Sequence, residues 1–382
     1  MTLHGPEGEP SDLAPFRYVA GAAAWQACLR ELRAAPQLAI DLEANSMFAY
    51  RERVCLIQIS TADTDYIIDP LTVDNLAGLG DITADPGVEK IFHAAEYDLI
   101  LMQRDYGWRL NNLFDTMWAA RILGYPQMGL ASLLERFFNV HTSKRYQKAN
   151  WCHRPLSAGE LAYAQKDTHY LIPLRDRLAA ELEKNGHAEE TAEIFMEQSR
   201  VRMPDNEFDP EGFWQINGAY DLSPEQQATL RALYLYRDHE ARRRNAPHFK
   251  VISDRTLMEL ATTGPGRLSD LSQVYGMSDG QQQRYGRALL QVIQDARQAT
   301  PPQPPKRSPR PPDAVLNRFD QLHRWRKTRA QARGVESDVI AGRDALWAIA
   351  QANPRTLDEL KALGVLGPWR LTTYGQEILR LL

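Results

Sequence analysis

The stretch Leu38-Ala39-Ile40-Asp41-Leu42-Glu43 decides how this chain is read. Its apolar start, residues 38–41, reads as a buried β-strand with two acids at its end. Side chains alternate faces along a strand, so Asp41 and Glu43 point one way and Leu42 the other. Two carboxylates so close repel each other. They are tolerated when a cation lies between them or when one is protonated. The pair predicts half a metal site, to be completed from elsewhere in the chain.

Three later acids stand at places where they could complete it. Asp98 lies in His93-Ala94-Ala95-Glu96-Tyr97-Asp98-Leu99, where a strand gives way to a helix. Asp115 lies in Phe114-Asp115-Thr116, just before another helix, and reads equally as a cap. Asp167 closes Tyr163-Ala164-Gln165-Lys166-Asp167. Tyr163 and Asp167 are one helical turn apart and share a face, though most such pairs are surface pairs. Three or four carboxylates converging on two divalent ions suit in-line displacement at phosphorus. Oxygen ligands without a His/Cys cluster favour Mg²⁺ or Mn²⁺ over zinc.

Around these residues the pattern is α/β. Residues 38–41, 54–60, 66–69 and 90–93 read as strands, and 21–34, 96–106 and 116–123 as helices. Residues 54–60 and 65–70 read as a hairpin over Thr61-Ala62-Asp63-Thr64. A mixed sheet is expected. From about Leu130 to Ser199 the pattern is helical, with a capping box at Ser157-Ala158-Gly159-Glu160.

After residue 210 strand signals almost vanish. Seven of the twelve residues in 301–312 are proline, which reads as a semi-stiff spacer. The regions on either side repeat each other at an offset of 89. Leu233 pairs with Leu322, Tyr236 with Trp325, Leu257 with Leu346, Leu271 with Leu360, and Tyr285-Gly286 with Tyr374-Gly375. Two copies of one small helical domain are predicted, each with its own core.

Charge is distributed unevenly. Residues 1–210 carry 20 Lys+Arg against 31 Asp+Glu, residues 211–300 carry 11 against 10, and residues 301–382 carry 14 against 8. An acidic front and a basic tail fit a metal-centred half and a polyanion-facing half. The three cysteines, Cys28, Cys55 and Cys152, form no CxxC pair. That reading expects neither a zinc module nor a disulfide framework, and a reducing cytoplasm. No apolar run reaches membrane-spanning length.

On the motifs quoted above, with Trp151-Cys152-His153-Arg154-Pro155-Leu156-Ser157, the chain resembles the DEDD 3′→5′ exonucleases, and specifically the ribonuclease D family. The resemblance implies an α/β ribonuclease H-like exonuclease domain with a mixed sheet, followed by two all-α HRDC-like domains. It divides the chain into a disordered extension (1–15), the exonuclease domain (16–205), a first HRDC-like domain (211–299), a proline-rich linker (300–313) and a second HRDC-like domain (314–382). It implies that Asp41, Glu43 and Asp167 hold one ion, that Asp41 bridges to a second, and that Asp98 holds the second largely through water. Tyr163 would orient the attacking water. The sister subfamily's histidine would fall at Ala162, which places the chain in the tyrosine branch. The role of Asp115 stays open.

The implied activity is 3′–5′ exoribonuclease action releasing 5′-mononucleotides, on RNA with a free 3′ end such as tRNA precursors, by a cytoplasmic monomer. A DNA exonuclease of the same fold is the alternative, and a non-catalytic RNA-binding protein a weaker one. Lys144, Arg145, Arg242, Arg243, Arg244, Arg324, Arg326 and Lys327 are the cations expected to meet RNA phosphates. Surface solvation is the competing reading of the same charges.

Overall fold

The computed structural model describes residues 13–201, 203, 207–306 and 309–382. The extension expected over residues 1–15 falls almost wholly on residues 1–12, which lie outside the described residues. The chain divides into two compact units. One comprises residues 1–44, 54–203 and 310–382, the other residues 45–53 and 204–309.

In the first unit six strands form one mixed sheet: β1 (Arg17–Val19), β2 (Gln37–Ala44), β3 (Val54–Ser60), β4 (Asp65–Ile68), β5 (Glu89–Phe92) and β6 (Leu113–Asp115). Their order is β1-β4-β3-β2-β5-β6. The β2–β3 and β3–β4 pairs are antiparallel, and β1–β4, β2–β5 and β5–β6 are parallel. The hairpin closes where expected, with Thr61 N donating to Thr64 O. The helices are α1 (Gly21–Ala34), α2 (Ala77–Ala84), α3 (Glu96–Tyr106), α4 (Thr116–Ile122), α5 (Leu130–Phe138), α6 (Ala158–His169), α7 (Leu171–Lys184) and α8 (Ala188–Gln198).

Strand β2 shows how alternation positions the chemistry. Leu38, Ile40 and Leu42 belong to the core that also holds Trp25 and Leu32 of α1, Leu79 of α2 and Leu99 of α3. Ala39 belongs instead to the opposite core, with Leu171, Leu174 and Leu178 of α7. Asp41 and Glu43 share the parity of Ala39 and so face the α6–α7 side. The strand runs on to Ala44, beyond the apolar segment, because β3 pairs with it throughout. The acids therefore stand within the strand and not at its end, a correction to the sequence reading. A bulge follows at Glu43/Ala44.

The repeat appears as two sets of helices. In the second unit these are α9 (Pro224–Arg244), α10 (His248–Val251), α11 (Asp254–Thr263), a 3₁₀ turn (Leu268–Gln273) and α12 (Asp279–Ala296). In the first unit they are α13 (Asp313–Arg333), α14 (Ser337–Ile340), α15 (Arg343–Ala352), α16 (Leu357–Ala362) and α17 (Pro368–Leu381). Each of the second set starts 89 residues after its counterpart, as Pro224 and Asp313 show. The shared Tyr-Gly has a steric reason. A Cβ on Gly286 would meet Leu268 and Leu271, and one on Gly375 would meet Leu357 and Leu360. Each copy has its own core, around Leu233, Leu257 and Tyr285 or around Leu322, Leu346 and Tyr374. Residues 301–306 and 309–312 form neither helix nor strand.

The second copy is docked on the α/β part of its unit. Arg333 of α13 grips Glu190 of α8 with both guanidinium nitrogens, at 2.6 and 2.8 Å. Arg370 of α17 reaches Glu193 at 3.3 Å and Glu197 at 2.7 Å. Arg121 of α4 meets Glu336 at 2.5 Å and also pairs with Asp338. Glu190, Glu193 and Glu197 line one face of α8, so part of the tail's positive charge is already neutralised.

Candidate metal centre

One strand, β2, and two helices, α3 and α6, bring the predicted residues together. Asp41, Glu43 and Asp167 each offer a carboxylate oxygen within 4.8 Å of the others. Asp98, in the first turn of α3, lies outside that tightest set. It is electrostatically coupled to Asp41 and Asp167, and its carboxylate accepts a hydrogen bond from the Leu42 backbone.

All four acids are held above the ordinary carboxylate range. Burial is the main cause for each, followed by neighbouring negative charge for Glu43, Asp98 and Asp167. Asp41 is pushed up to about 7, against a pull from the Leu42 N–H. Such a site favours an added positive charge, which a divalent cation would supply. The set contains only hard oxygen donors, with no histidine or cysteine among the three clustered residues. It therefore fits a hard ion of the magnesium type.

Tyr163 stands one turn before Asp167 on α6. Burial raises its phenol well above the usual value, and the charges of Asp167, Glu43 and Asp41 add to the shift. The phenol stays protonated at working pH and can donate a hydrogen bond. Its ring packs beside Trp151 and Tyr146, with centroids 5.9 and 6.1 Å away.

The residues before α6 explain the Trp-x-x-Arg-Pro-Leu-Ser stretch. Arg154 donates from Nε to Asp69 Oδ2 at 2.6 Å and from Nη2 to Asp69 Oδ1 and Cys55 O, both at 2.7 Å. Its Nη1 donates to the carbonyls of Trp151 and His153. One guanidinium thus ties the loop to β3 and to the end of β4. Ser157 then caps α6 in a capping box with Glu160, as the spacing predicts. The far end of α6 is fixed by Asp65, which accepts from Gln165 at 2.6 Å and from Ser60 at 2.6 Å and lies 2.8 Å from His169 Nδ1.

A second correction lies here. Cys55 and Cys152 form a disulfide joining β3 to the same loop. They are 97 residues apart, and no spacing in the sequence announces their meeting. Cys28 is buried and free.

Asp115 acts as a double cap. Its Oδ1 accepts from Ala94, Met117 and Trp118 N–H groups, and its Oδ2 from Ala95 N at 2.8 Å. It joins the starts of α3 and α4 and holds Ala94 at a left-handed φ of 64°. His93 is half-buried and desolvation pushes it down to about 4, so it is neutral, with Nδ1 2.9 Å from Thr116 Oγ1.

The cations proposed for phosphate contact differ in exposure and in their partners. Lys144, Arg145, Arg324 and Lys327 are exposed. Arg326 is half-buried and donates to Ala341 O at 2.9 Å. In the second unit Arg242 pairs with Asp238, Arg243 with Glu240, and Arg244 donates to Tyr285. These last four are committed within their own domains.

A mixed sheet bearing a half-buried carboxylate cluster opposite a Tyr-x-x-x-Asp helix is an arrangement suited to metal-dependent nuclease chemistry. Residues 16–183 match the 3′–5′ exonuclease family, and residues 226–293 and 315–382 match the HRDC domain. The chain thus carries a domain of the 3′–5′ exonuclease family followed by two copies of the HRDC domain. Ribonuclease D of Gluconacetobacter diazotrophicus is 29% identical over 92% of this chain and 89% of that protein. The exosome complex component 10 homolog of Caenorhabditis elegans is 33% identical over 82% of this chain and 35% of that protein. The chain thus spans about a third of that relative's length. Among solved structures, the catalytic core of RRP6 from Trypanosoma brucei is 29% identical, covering 74% of this chain and 79% of that one, with a TM-score of 0.67. Escherichia coli RNase D shares the fold at 23% identity and a TM-score of 0.64, covering 96% of this chain and 98% of that one.

Proposed function

We propose that this chain is a divalent-metal-dependent 3′–5′ exoribonuclease that releases 5′-mononucleotides. The observation that carries the reading is the meeting of Asp41, Glu43 and Asp167 within 4.8 Å. Asp41, Glu43 and Asp167 would hold one Mg²⁺ or Mn²⁺ ion. Asp41 and Asp98 would hold a second. Bound ions would supply charge neutralisation and a more acidic attacking water.

The chain's own groups do the rest. The protonated Tyr163 phenol donates to the attacking water and fixes its direction. The water oxygen bonds to the last phosphorus, and the P–O3′ bond breaks. The water gives up a proton, and the departing O3′ takes one. Asp115 and the Arg154–Asp69 pair keep α3 and α6 in register and touch no substrate.

The named ribonuclease D relatives support RNA over DNA as substrate. RNA with a free 3′ end, including tRNA precursors, is the proposed partner, and a cytoplasmic monomer the proposed form. No described helix is long and apolar enough to cross a membrane. Lys144, Arg145, Arg324 and Lys327 are the exposed cations proposed to meet phosphates, with Arg242, Arg243, Arg244 and Arg326 as secondary candidates.

The test is digestion of matched RNA and DNA oligonucleotides with free or blocked 3′ ends. Loss of mononucleotides from free RNA ends alone is expected. Equal action on blocked ends would remove the polarity, and preference for DNA would remove the sugar assignment.

A further inference from the structure

Gln58 on β3 is fully buried, and neither its Nε2 nor its Oε1 has a hydrogen-bond partner among the described residues. A primary amide buried without partners is destabilising and calls for an explanation. Its position supplies one. Gln58 is the direct antiparallel partner of Asp41, and such partners project their side chains side by side on one face.

Its neighbours on β3 show which face that is. Leu56 packs with Leu161, Ala164 and Trp151. Ser60 lies 2.8 Å from Thr168 Oγ1. Both therefore face α6, and Gln58 lies between them with the same parity. The amide sits beneath the α6 segment that carries Asp167 and beside Asp41. Full burial excludes a role in touching RNA.

We propose that Gln58 is a positioning residue of the metal centre, whose side-chain Nε2 donates to the Asp41 carboxylate when divalent cations are bound there. Outer hydrogen bonds of this kind orient ligating groups and tune affinity. The inference rests on the reading of Asp41, Glu43 and Asp167 as ion-holding residues. It adds a residue that the carboxylate pattern does not include.

The variant Gln58→Met keeps length and burial and removes both orphan atoms. Two readouts are needed on the full chain: Mn²⁺ binding by calorimetry without RNA, and thermal unfolding of the metal-free protein. Mn²⁺ affinity should fall about 10–100-fold, and kcat should fall with KM for RNA unchanged. The metal-free Tm should stay equal or rise, because an unpaired buried amide has gone. Unchanged Mn²⁺ affinity overturns the proposal, as it would if the amide only held a buried water. A lower metal-free Tm also overturns it, since the amide would then have partners before ions bind.

Asp41→Asn is measured alongside. If it binds Mn²⁺ like the parent, the metal centre itself is misassigned. If it loses binding while Gln58→Met does not, only the role of Gln58 falls.

Discussion

Asp41 on β2 and Asp167 on α6 bring carboxylate oxygens within 4.8 Å of each other, although one belongs to the sheet and the other to a helix laid across it. Neither acid pairs with a cation among the described residues, and Asp41 is pushed up to about 7. The fold holds like charges together, which is useful when a cation is to be bound there.

Protonation of the acids gives the first prediction. The folded Asp41 value of about 7 lies above the ~3.9 of an unfolded aspartate. The metal-free fold therefore binds extra protons, and this group's stabilisation is complete below about pH 4 and lost as pH rises through about 7. Metal-free Tm should fall over that window. Cations must displace those protons, so the stabilisation by added Mg²⁺ should grow over the same window. Thermal unfolding with EDTA or Mg²⁺ from pH 4 to 8 checks both slopes; a Tm that rises with pH in EDTA would contradict them.

Tyr163→Phe removes one hydroxyl and keeps the ring between Trp151 and Tyr146. A group that orients the nucleophile contributes on the order of 10²-fold. Turnover should fall by about that factor, with KM for RNA and Mn²⁺ affinity unchanged. Single-turnover hydrolysis combined with calorimetry separates these quantities.

Arg154 and the Cys55–Cys152 bridge hold the same loop, yet they are not equivalent. Arg154 satisfies Asp69 and three carbonyls, and Asp69 is almost wholly buried. Removing the arginine takes away its ion partner and leaves the Tyr18 hydroxyl and the Leu71 N–H as donors, at a cost of about 3–5 kcal/mol. Arg154→Ala should lower Tm and turnover together. Cys152→Ser leaves all five Arg154 hydrogen bonds in place and should keep most turnover. Comparing the two variants, each relative to the parent, decides which attachment matters.

The docking of the second helical copy is testable in the same way. Glu190 is fully buried and held bidentately by Arg333. Arg333→Ala should destabilise the unit by about 3–5 kcal/mol, because Glu190 loses its guanidinium partner and keeps His187 Nδ1, 3.1 Å away, as a contact. Glu190→Gln should cost less, because an uncharged amide replaces the buried charge. Urea unfolding of both variants gives the comparison. A deletion of residues 314–382 would expose the α8 acids as well as remove cations, so it tests more than RNA affinity.

Much of this was legible in the sequence. Period-two alternation gave the facing of Asp41 and Glu43, and helical spacing gave Tyr163 with Asp167. Helices α1 and α3 and the Ser157 capping box fall where the pattern places them. The constant offset of 89 gave the two helical copies because the same buried positions recur in each. What was hidden depends on long-range contact. The polar end of β2 is strand only because β3 pairs with it. The Cys55–Cys152 bridge and the Arg154–Asp69 pair join segments far apart in the chain. Gln58 could have been placed by parity with Leu56 and Ser60, but its missing partners required the packed structure.

The central claim is that Asp41 and its neighbouring carboxylates make this chain a metal-dependent nuclease acting from the 3′ end. The most direct measurement follows 5′-labelled RNA with the parent and Asp41→Asn, in Mg²⁺ or EDTA. The parent in Mg²⁺ should shorten the RNA one nucleotide at a time from its 3′ end, and the variant should be slower by roughly 10³-fold. Shortening at the parental rate by Asp41→Asn, or undiminished shortening in EDTA, would contradict the account.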